Sequence, residues 1–400
     1  MRSDPRRCFR ALAIAVAVLA GAPCPAPAQT EKPPQAPPRT PGLLNPAISA
    51  LFLLTGSASF DRQSEDDGFS LSEAEFAFQA AVDPFTRMDI YLAVPAGESP
   101  EIEEGTITTT ALPGPLQVKG GRFKNAFGKW NLYHGHQFFT IDRPWVLERF
   151  FGEESLSTDG LSLSILIPNR WDLYIDSLTE VGTAREGPSF NSAERNLTYF
   201  EHLTCFFTPS SASTLEVGLS AAYGRTGPSE RLLADLEAFD PDGMTGLAPR
   251  TALRSSTHGF DLTFRWRPPA MNVYRAFLWQ SEILTSRRHL ERLDAGTPAL
   301  RPGTVSAWGG YTYLEAQFRK RWRVGGRYDR TGFPDEAGAR VRAASAVVRF
   351  LPSEFQEIRL QVERIHRNQA AAASFDDQRD DTRILFQWIP IIGAHGAHKY

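Results

Sequence analysis

The chain has 400 residues, and its 43 lysines and arginines nearly balance its 46 aspartates and glutamates, which gives a formal net charge of -3. This near-neutral balance argues against a nucleic-acid partner. Beyond the N-terminal segment there is no run of about 18 apolar residues, so the sequence predicts no membrane-spanning helix.

The N-terminus has the pattern of an export signal. Four arginines precede an apolar run over residues 11–21, and Ala26-Pro27-Ala28 matches a small-residue cleavage site. The sequence therefore predicts a signal peptide over 1–28, a proline-rich periplasmic lead-in over 29–43 and one exported domain over 44–400. Cys205 is the only cysteine of that domain, so no internal disulfide is available to it.

From residue 44 onwards, stretches of alternating apolar and polar residues are separated in turn by short and long connections. The short connections carry proline: Asp83-Pro84, Pro113-Gly114-Pro115, Pro168-Asn169, Pro209-Ser210, Pro268-Pro269 and Pro352-Ser353. The long ones cover 124–157, 225–254 and 285–303. This pattern is typical of an outer-membrane β-barrel, with short periplasmic turns and long external loops.

The alternation predicts about 16 strands. Their expected ranges are 46–60, 70–82, 87–94, 101–112, 116–123, 159–167, 170–182, 194–207, 212–224, 256–267, 272–284, 304–319, 321–329, 340–351, 355–367 and 381–392. An even number closes an antiparallel sheet with both chain ends on one side. The predicted fold class is therefore an all-β, transmembrane antiparallel β-barrel.

Each predicted strand has an apolar face and a polar face. Met88, Ile90 and Leu92, for example, alternate with Arg87 and Asp89. A charge that faces lipid at the bilayer midplane costs about 2 to 4 kcal/mol for Arg or Lys, so the charged faces are predicted to line the lumen. The predicted lumen residues are Glu73, Glu75, Arg87, Asp89, Lys119, Arg321, Arg323, Arg327, Arg359 and Arg383.

The arginines of the last strands have two open interpretations. Together they could form a positive wall that favours anions. Acidic residues on the same strands could instead pair with them: Glu315, Asp329, Glu357 and Glu363.

The third external connection has the most distinctive residues. It begins with Gly121-Arg122-Phe123-Lys124-Asn125-Ala126-Phe127-Gly128 at the end of the fifth strand. With this segment, the chain resembles the outer-membrane porins, and its layout is similar to that of the phosphate-selective porin O and P type. The resemblance implies that the third loop folds into the lumen as a constriction, and that porin trimers are the usual assembly. The implied constriction residues are Arg122, Lys124, Lys129, Arg143, Glu148, Arg149, Glu153 and Glu154.

Other chemistry has less support in the sequence. His134, His136 and Asp142 offer two imidazoles and a carboxylate, which could bind a metal or make ordinary polar contacts in the loop. The sequence has no G-x-S-x-G, H-E-x-x-H or Walker motif. We therefore expect no enzyme activity and no cofactor.

These patterns predict a porin in the outer membrane of a Gram-negative-type bacterium. It would contact outer-membrane lipid, assemble as a homotrimer and let small hydrophilic solutes or ions diffuse passively, with a preference for anions if the arginine wall is real. Two alternatives stay open. One is a substrate-specific channel or receptor for an anion or a metal chelate, and the other is a barrel-embedded enzyme.

Overall fold

A computed structural model describes residues 46–60, 67–152, 155–171, 173–184, 187–190, 196–240, 242, 244–294, 299–375 and 378–393. The predicted signal peptide and the proline-rich lead-in lie outside these residues. The described chain forms a closed, sixteen-stranded antiparallel β-barrel, which confirms the predicted fold class.

Each strand pairs with its neighbours in the chain, and β1 pairs with β16 to close the ring. The strands are β1 Ala47–Ser59, β2 Gly68–Asp83, β3 Thr86–Pro95, β4 Glu101–Thr109, β5 Leu116–Lys124, β6 Ser157–Leu166, β7 Tyr174–Ala184, β8 Leu197–Ser210, β9 Ser213–Thr226, β10 Leu253–Trp266, β11 Ala276–Leu293, β12 Leu300–Arg319, β13 Trp322–Gly332, β14 Arg340–Ser353, β15 Gln356–Arg367 and β16 Asp380–Gly393.

The two ends of the barrel differ in their connections. At one end, here called the turn end, β8 and β9 are joined by only two residues, as are β12 and β13. The opposite end, here called the loop end, carries the longest connections, over 125–156 and 227–252. Both β1 and β16 have their outer termini at the turn end, as an even number of strands requires.

One predicted loop is strand instead. The sequence predicts a connection over 285–303, but β11 continues to Leu293 and β12 begins at Leu300. The alternation persists, because Arg288 and Leu290 are buried whereas Arg287 is exposed. These strands extend past the apolar outer band, so their outward residues are polar and look like a loop in the sequence.

The outer surface of the barrel is apolar and its interior is polar. On β12, Trp308, Leu314 and Phe318 are exposed, while Tyr313 and Glu315 between them are buried. The same inversion recurs around the ring, since exposed leucines, phenylalanines and tryptophans alternate with buried acids, arginines and glutamines. Such a surface suits a barrel in lipid, where the apolar side chains need no cover from protein.

The helices are short and lie in the connections. They are α1 Trp145–Phe151, α2 Glu230–Phe239 and α3 Gln369–Ala372, with 3-10 turns at Trp130–Leu132, Gly135–Gln137, Pro269–Met271 and Ala373–Phe375. Ser229 caps α2 by accepting a hydrogen bond from the Leu232 amide. Within the described residues, the helices are too short and too polar to serve as membrane spans.

Candidate pore constriction

The connection between β5 and β6, residues 125–156 and hereafter the inner loop, packs inside the barrel. Trp130 and Phe150 are fully buried in one cluster with Tyr311 and Tyr313, which face inward from β12. Trp130 meets Tyr311 edge to face at 5.4 Å between ring centroids, and Phe139 stacks on Tyr313 at 5.4 Å. Each buried aromatic side chain contributes roughly 1.5 to 3 kcal/mol, so the inner loop is a packed element.

On one side, the inner loop is attached to β9 and β11. The Gly128 amide donates to Ser220 Oγ at 2.9 Å, and the amides of Lys129 and Trp130 both donate to Glu282 Oε1, at 3.1 and 2.8 Å. Gly128 has φ +63°, and a Cβ there would overlap the Glu282 carboxylate. Only glycine lets the loop approach the wall this closely.

On a second side, two loop histidines and the last residue of β5 meet three glutamates of β2 and β4. This histidine cluster comprises His134, His136, Lys124, Glu75, Glu103 and Glu104. His134 donates from Nδ1 to Glu103 and from Nε2 to Glu104, both at 2.9 Å. His136 Nδ1 lies 3.2 Å from Glu75, and Lys124 Nζ lies 2.5 Å from Glu103. Both nitrogens of His134 therefore serve as donors, which makes it an imidazolium.

On a third side, the inner loop joins an ion-pair network on β13, β15 and β16. Asp142 Oδ2 lies 3.0 Å from Arg327 Nη2 and 3.1 Å from Arg383 Nη2. Arg327 also pairs with Asp329 at 2.6 Å, and Arg383 pairs with Glu363 at 2.6 Å. Arg327, Asp329 and Glu363 have fully buried side chains, so each charge depends on its partners for compensation.

Main-chain groups of the loop are also held by this wall. Ile141 donates its amide to Gln361 Oε1 at 2.8 Å, and the His136 carbonyl accepts from Arg359 Nη2 at 2.7 Å. The inner loop is thus fixed to the inward faces of strands on three sides of the ring.

Three further inward arginines of the late strands occur in ion pairs. Arg349 lies 2.7 Å from Glu315 and 2.5 Å from Glu357, while Arg359 lies 2.8 Å from Glu357. Arg323 lies 3.4 Å from Glu315. Of the two interpretations that the sequence leaves open, the structure shows ion pairing. Glutamates of the same wall compensate these guanidinium charges.

His134 and Asp142 of the inner loop have shifted pKa values that fix their charges. Burial and Lys124 oppose protonation of His134, but its hydrogen bonds to Glu103 and Glu104 outweigh them and raise its pKa to about 9. Burial opposes ionisation of Asp142, but Arg327 and Arg383 prevail and lower its pKa to about 2. Both groups are therefore charged near neutral pH.

The histidine cluster makes the attachment of the inner loop dependent on pH. Because the pKa of His134 is raised from about 6.5, its stabilisation is complete below that value and is lost as pH rises through about 9. We expect trypsin to cut the loop faster at pH 10 than at pH 7. His134→Gln cannot take up a proton at this position. Its cleavage rate should therefore change between pH 7 and pH 10 only as much as the rate of trypsin on an unfolded substrate does.

The wild type and the His134→Gln variant share the other charged and titratable groups that face this position. Glu75, Glu103 and Glu104 face it from β2 and β4, Lys124 from β5, and the Tyr91 ring lies 4.7 Å from its ring. Equal trypsin sensitivity of the wild type at pH 7 and pH 10 would show that His134 does not hold the loop.

Lys124, Lys129 and Arg143, three of the predicted constriction residues, hold the inner loop in place. Lys124 belongs to the histidine cluster, and the Lys129 ammonium pairs with Glu216 on β9. Arg143 is buried and donates from Nη1 to the Gly152 carbonyl at 2.8 Å. Arg143 therefore braces the loop internally.

The later constriction residues lie at or beyond α1. Glu148 and Arg149 form an ion pair of 3.0 Å, and the Arg149 guanidinium lies 4.7 Å from the centre of the Phe375 ring. Glu153 and Glu154 lie outside the described residues.

Most of the predicted lumen residues lie on inward faces. They are Glu73, Glu75, Arg87, Asp89, Lys119, Arg323, Arg327, Arg359 and Arg383. Arg321 does not, because β13 begins at Trp322 and leaves Arg321 exposed in the preceding turn.

Arg122 also lies away from the predicted constriction. It is opposite Asp159 on the outward side of the β5–β6 pair, on the face that carries Leu161, and it pairs with Asp159 at 2.7 Å. The inward positions at this end of β5 belong to Lys119 and Phe123, since successive side chains alternate.

The proposed metal ligands His134, His136 and Asp142 are not brought together. Asp142 belongs to the arginine network on β13, β15 and β16. Instead, potential ligand atoms of Glu75, Glu103 and His134 lie within 4.8 Å of one another. Their present geometry is that of an imidazolium between carboxylates, with both ring nitrogens occupied as donors.

Several residues that anchor the loop were not predicted from the sequence. Glu216 and Glu282 lie inward on β9 and β11, and the alternation with Leu219 and Ile283 could have placed them there. Sequence alone does not show that they meet the inner loop, because Glu282 and Lys129 are 153 positions apart.

Ser220 and His202 form a buried pair that could suggest nucleophilic chemistry. Their Oγ and Nδ1 atoms lie 2.8 Å apart. The hydroxyl also accepts from the Gly128 amide, and both side chains are buried. The pair thus contributes to the attachment of the inner loop.

Comparison with known sequences places the chain in a family. An "Uncharacterized protein" of Aquifex aeolicus (strain VF5) is 30% identical over 378 residues, which are 88% of this chain and 74% of the Aquifex protein. The chain belongs to the family of this Aquifex protein. No family model matches it. Because the shared region covers most of both chains, the likeness is not confined to a short motif.

Solved structures share the fold of this chain at low sequence identity. The anion-selective porin from Comamonas acidovorans has a TM-score of 0.53 and 9% identity, covering 87% of this chain and 100% of the porin. A loop L8 deletion mutant of OmpT, an outer membrane protein of Vibrio cholerae, has a TM-score of 0.52 and 6% identity, covering 87% and 99%. The barrel thus resembles those of outer-membrane proteins, porins included.

Proposed function

We propose that this chain is an outer-membrane diffusion channel of the porin kind, in which small hydrophilic solutes or ions pass a constriction made by the inner loop. The observation that carries the proposal is the attachment of that loop to inward side chains on three sides of the ring. A sixteen-stranded barrel is wide enough to hold an aqueous lumen, and a loop fixed within it sets the free cross-section. Passage is passive and requires no energy source.

The proposal places the turn end in the periplasm and the loop end outside, as is usual for outer-membrane barrels. It also includes a homotrimer, because trimers are the usual assembly of porins of similar layout. An OmpT of Vibrio cholerae has been solved in a trimer form. The likeness in layout to the phosphate-selective porin O and P type stays a prediction from the sequence.

Charge selectivity in this proposal is a modest preference for anions. The arginine network is compensated, so the preference depends on lumen residues near the turn end that keep contact with water. Arg87 is 49% exposed and its partner Asp89 18%, while Arg265 is 37% exposed and its partner Glu216 12%. The better exposed group is basic in both pairs, which favours anions at short range.

Planar-bilayer recording tests the proposal. We expect stepwise, ohmic current increments from the purified protein, and a reversal potential in a KCl gradient whose sign shows anion preference. Replacing Arg87 and Arg265 with glutamine should remove most of that anion preference. Single-channel conductance should change little, because the inner loop that limits it is intact. The control is R170Q/R321Q, which removes two exposed charges from turns.

Two outcomes would contradict the proposal at different levels. Absence of current after insertion has been verified by protease protection would remove the channel function itself. An unchanged reversal potential in R87Q/R265Q would leave the channel but remove this origin of its selectivity.

A further inference from the structure

Arginines form a belt on the outside of the barrel at the loop end. The basic belt comprises Arg225 on β9, Arg254 on β10, Arg287 on β11, Arg330 on β13, Arg342 on β14 and Arg364 on β15. Each lies on the face that carries exposed apolar residues nearer the turn end, such as Phe260 on β10 and Ile283 on β11. The belt therefore faces away from the lumen and is separate from the constriction.

Strand register groups the belt arginines on β9 to β11 and on β13 to β15, on either side of β12. Arg225 is directly opposite Arg254, and Arg330 is directly opposite Arg342. Arg287 is opposite Ser256, which is the outward residue of β10 next to Arg254. Like charges directly opposite each other destabilise a sheet, so an anion bound beside these pairs would stabilise them.

Carboxylates of the described residues compensate this charge only in part. Arg364 lies 3.4 Å from Asp380, which also contacts His366 at 3.0 Å. Arg254, Arg287 and Arg342 are exposed and have no carboxylate within 4 Å in the described part of the chain. The belt thus carries an excess of positive charge.

The belt lies where the apolar band ends. A strand crosses the hydrocarbon layer in about 9 to 11 residues. Arg287 is ten residues beyond Phe277, the first outward apolar residue of β11, and Arg254 is twelve residues from Trp266 at the turn end of β10. Side chains at this height meet the headgroup layer of the adjacent leaflet, and lipid phosphates lie in that layer.

A cavity marks one position in the belt. It has a volume of about 400 Å³ and opens between β9, β10 and β11. Its lining includes Arg254, Ser256, Arg287 and His289. Two guanidinium groups, a hydroxyl and an imidazole are suitable donors for phosphate oxygens, and Arg binds phosphate through paired hydrogen bonds.

The opposite half of the barrel has a different outer rim. On the described residues of β1 to β8, the outward arginine at the loop end is Arg122, and its charge is compensated by Asp159 at 2.7 Å. The excess positive charge is therefore a local feature of β9 to β15.

We propose that the basic belt binds the phosphates of an anionic lipid headgroup in the leaflet at the loop end, with the cavity at Arg254 and Arg287 as its principal site. The fitting ligand is a phosphorylated glycolipid, whose sugar would occupy the cavity while its acyl chains lie along the apolar band. The proposal rests on the membrane orientation included in the proposed function, but it does not depend on conductance.

Binding of bisphosphorylated lipid A to the detergent-solubilised protein, measured by native mass spectrometry, tests this site. Each arginine near a lipid phosphate is worth about 1 kcal/mol, so R254Q/R287Q should bind about 30-fold more weakly than the wild type. R254K/R287K should lose less, because it keeps the charge but not the paired hydrogen bonds. R170Q/R321Q, with the same loss of charge at the turn end, should bind like the wild type.

Further arms identify the source of the phosphate. Lipid A without phosphates should bind the wild type weakly, and millimolar inorganic phosphate should not displace bisphosphorylated lipid A. Equal binding by R254Q/R287Q and the wild type, equal binding of phosphate-free lipid A, or displacement by inorganic phosphate would each overturn the proposal. If R254Q/R287Q does not form a heat-modifiable barrel, R254K/R287K and the phosphate-free lipid decide the matter.

Discussion

Deleting residues 130–148 and joining the ends with a short glycine-serine linker is expected to raise single-channel conductance severalfold. The deleted segment includes both 3-10 turns of the inner loop, the histidines and Asp142. Without it, Trp130, Phe138 and Phe139 leave the lumen and water can fill more of a barrel of this strand number. Planar-bilayer recording of the folded variant measures the change.

A deletion of equal length in another connection provides the control. Residues 231–249 belong to the loop that contains α2, between β9 and β10, and their removal should leave conductance near the wild-type value. Unchanged conductance in the 130–148 deletion, with the barrel intact by heat modifiability, would mean that the inner loop does not limit the current.

Replacing Arg327 with methionine is expected to have the largest effect of any single substitution on stability. Its side chain is fully buried and pairs with Asp142, Asp329 and Glu363. Removing one partner of a buried pair leaves an uncompensated charge and costs about 3 to 5 kcal/mol. Denaturant unfolding in lipid vesicles measures the loss, and trypsin cleavage reports release of the inner loop.

Two further variants show whether the network is the cause. Arg319→Met, on the exposed end of neighbouring β12, should cost less than about 1 kcal/mol. Adding Asp142→Asn to Arg327→Met should recover part of the stability, because it removes one of the orphaned carboxylates. If R327M and R319M lose equal stability, the network does not hold the loop.

The sequence was sufficient for the barrel because its alternation is local. Polar and apolar residues alternate over 87–90 on β3 and over 357–363 on β15, and the proline-bearing turns mark the strand ends. The same local pattern failed at 285–303, where β11 and β12 leave the apolar band and alternation of polarity no longer distinguishes a strand from a loop. It also misplaced Arg321 by one residue, enough to move it from the wall to a turn.

The contacts of the inner loop could not be predicted in the same way. Alternation indicates that Glu282 and Arg327 face inward, but not which loop group each one meets. Lys129 and Glu282 are far apart in sequence, as are Asp142 and Arg383. Such contacts depend on the closed ring, which brings strands from opposite ends of the chain around one space.

The closure of β1 on β16 has a consequence for the order of assembly. The seam pairs Ser49 with Gly393 and Ser59 with Arg383, so the ring cannot exist until almost the whole chain has been made. The inner loop contacts Arg383 on β16 itself. It must therefore be positioned before the seam is complete, or enter through the open mouth afterwards. Until then both seam strands present unpaired edges that can join other chains, so copies of the chain must be kept apart until the seam closes.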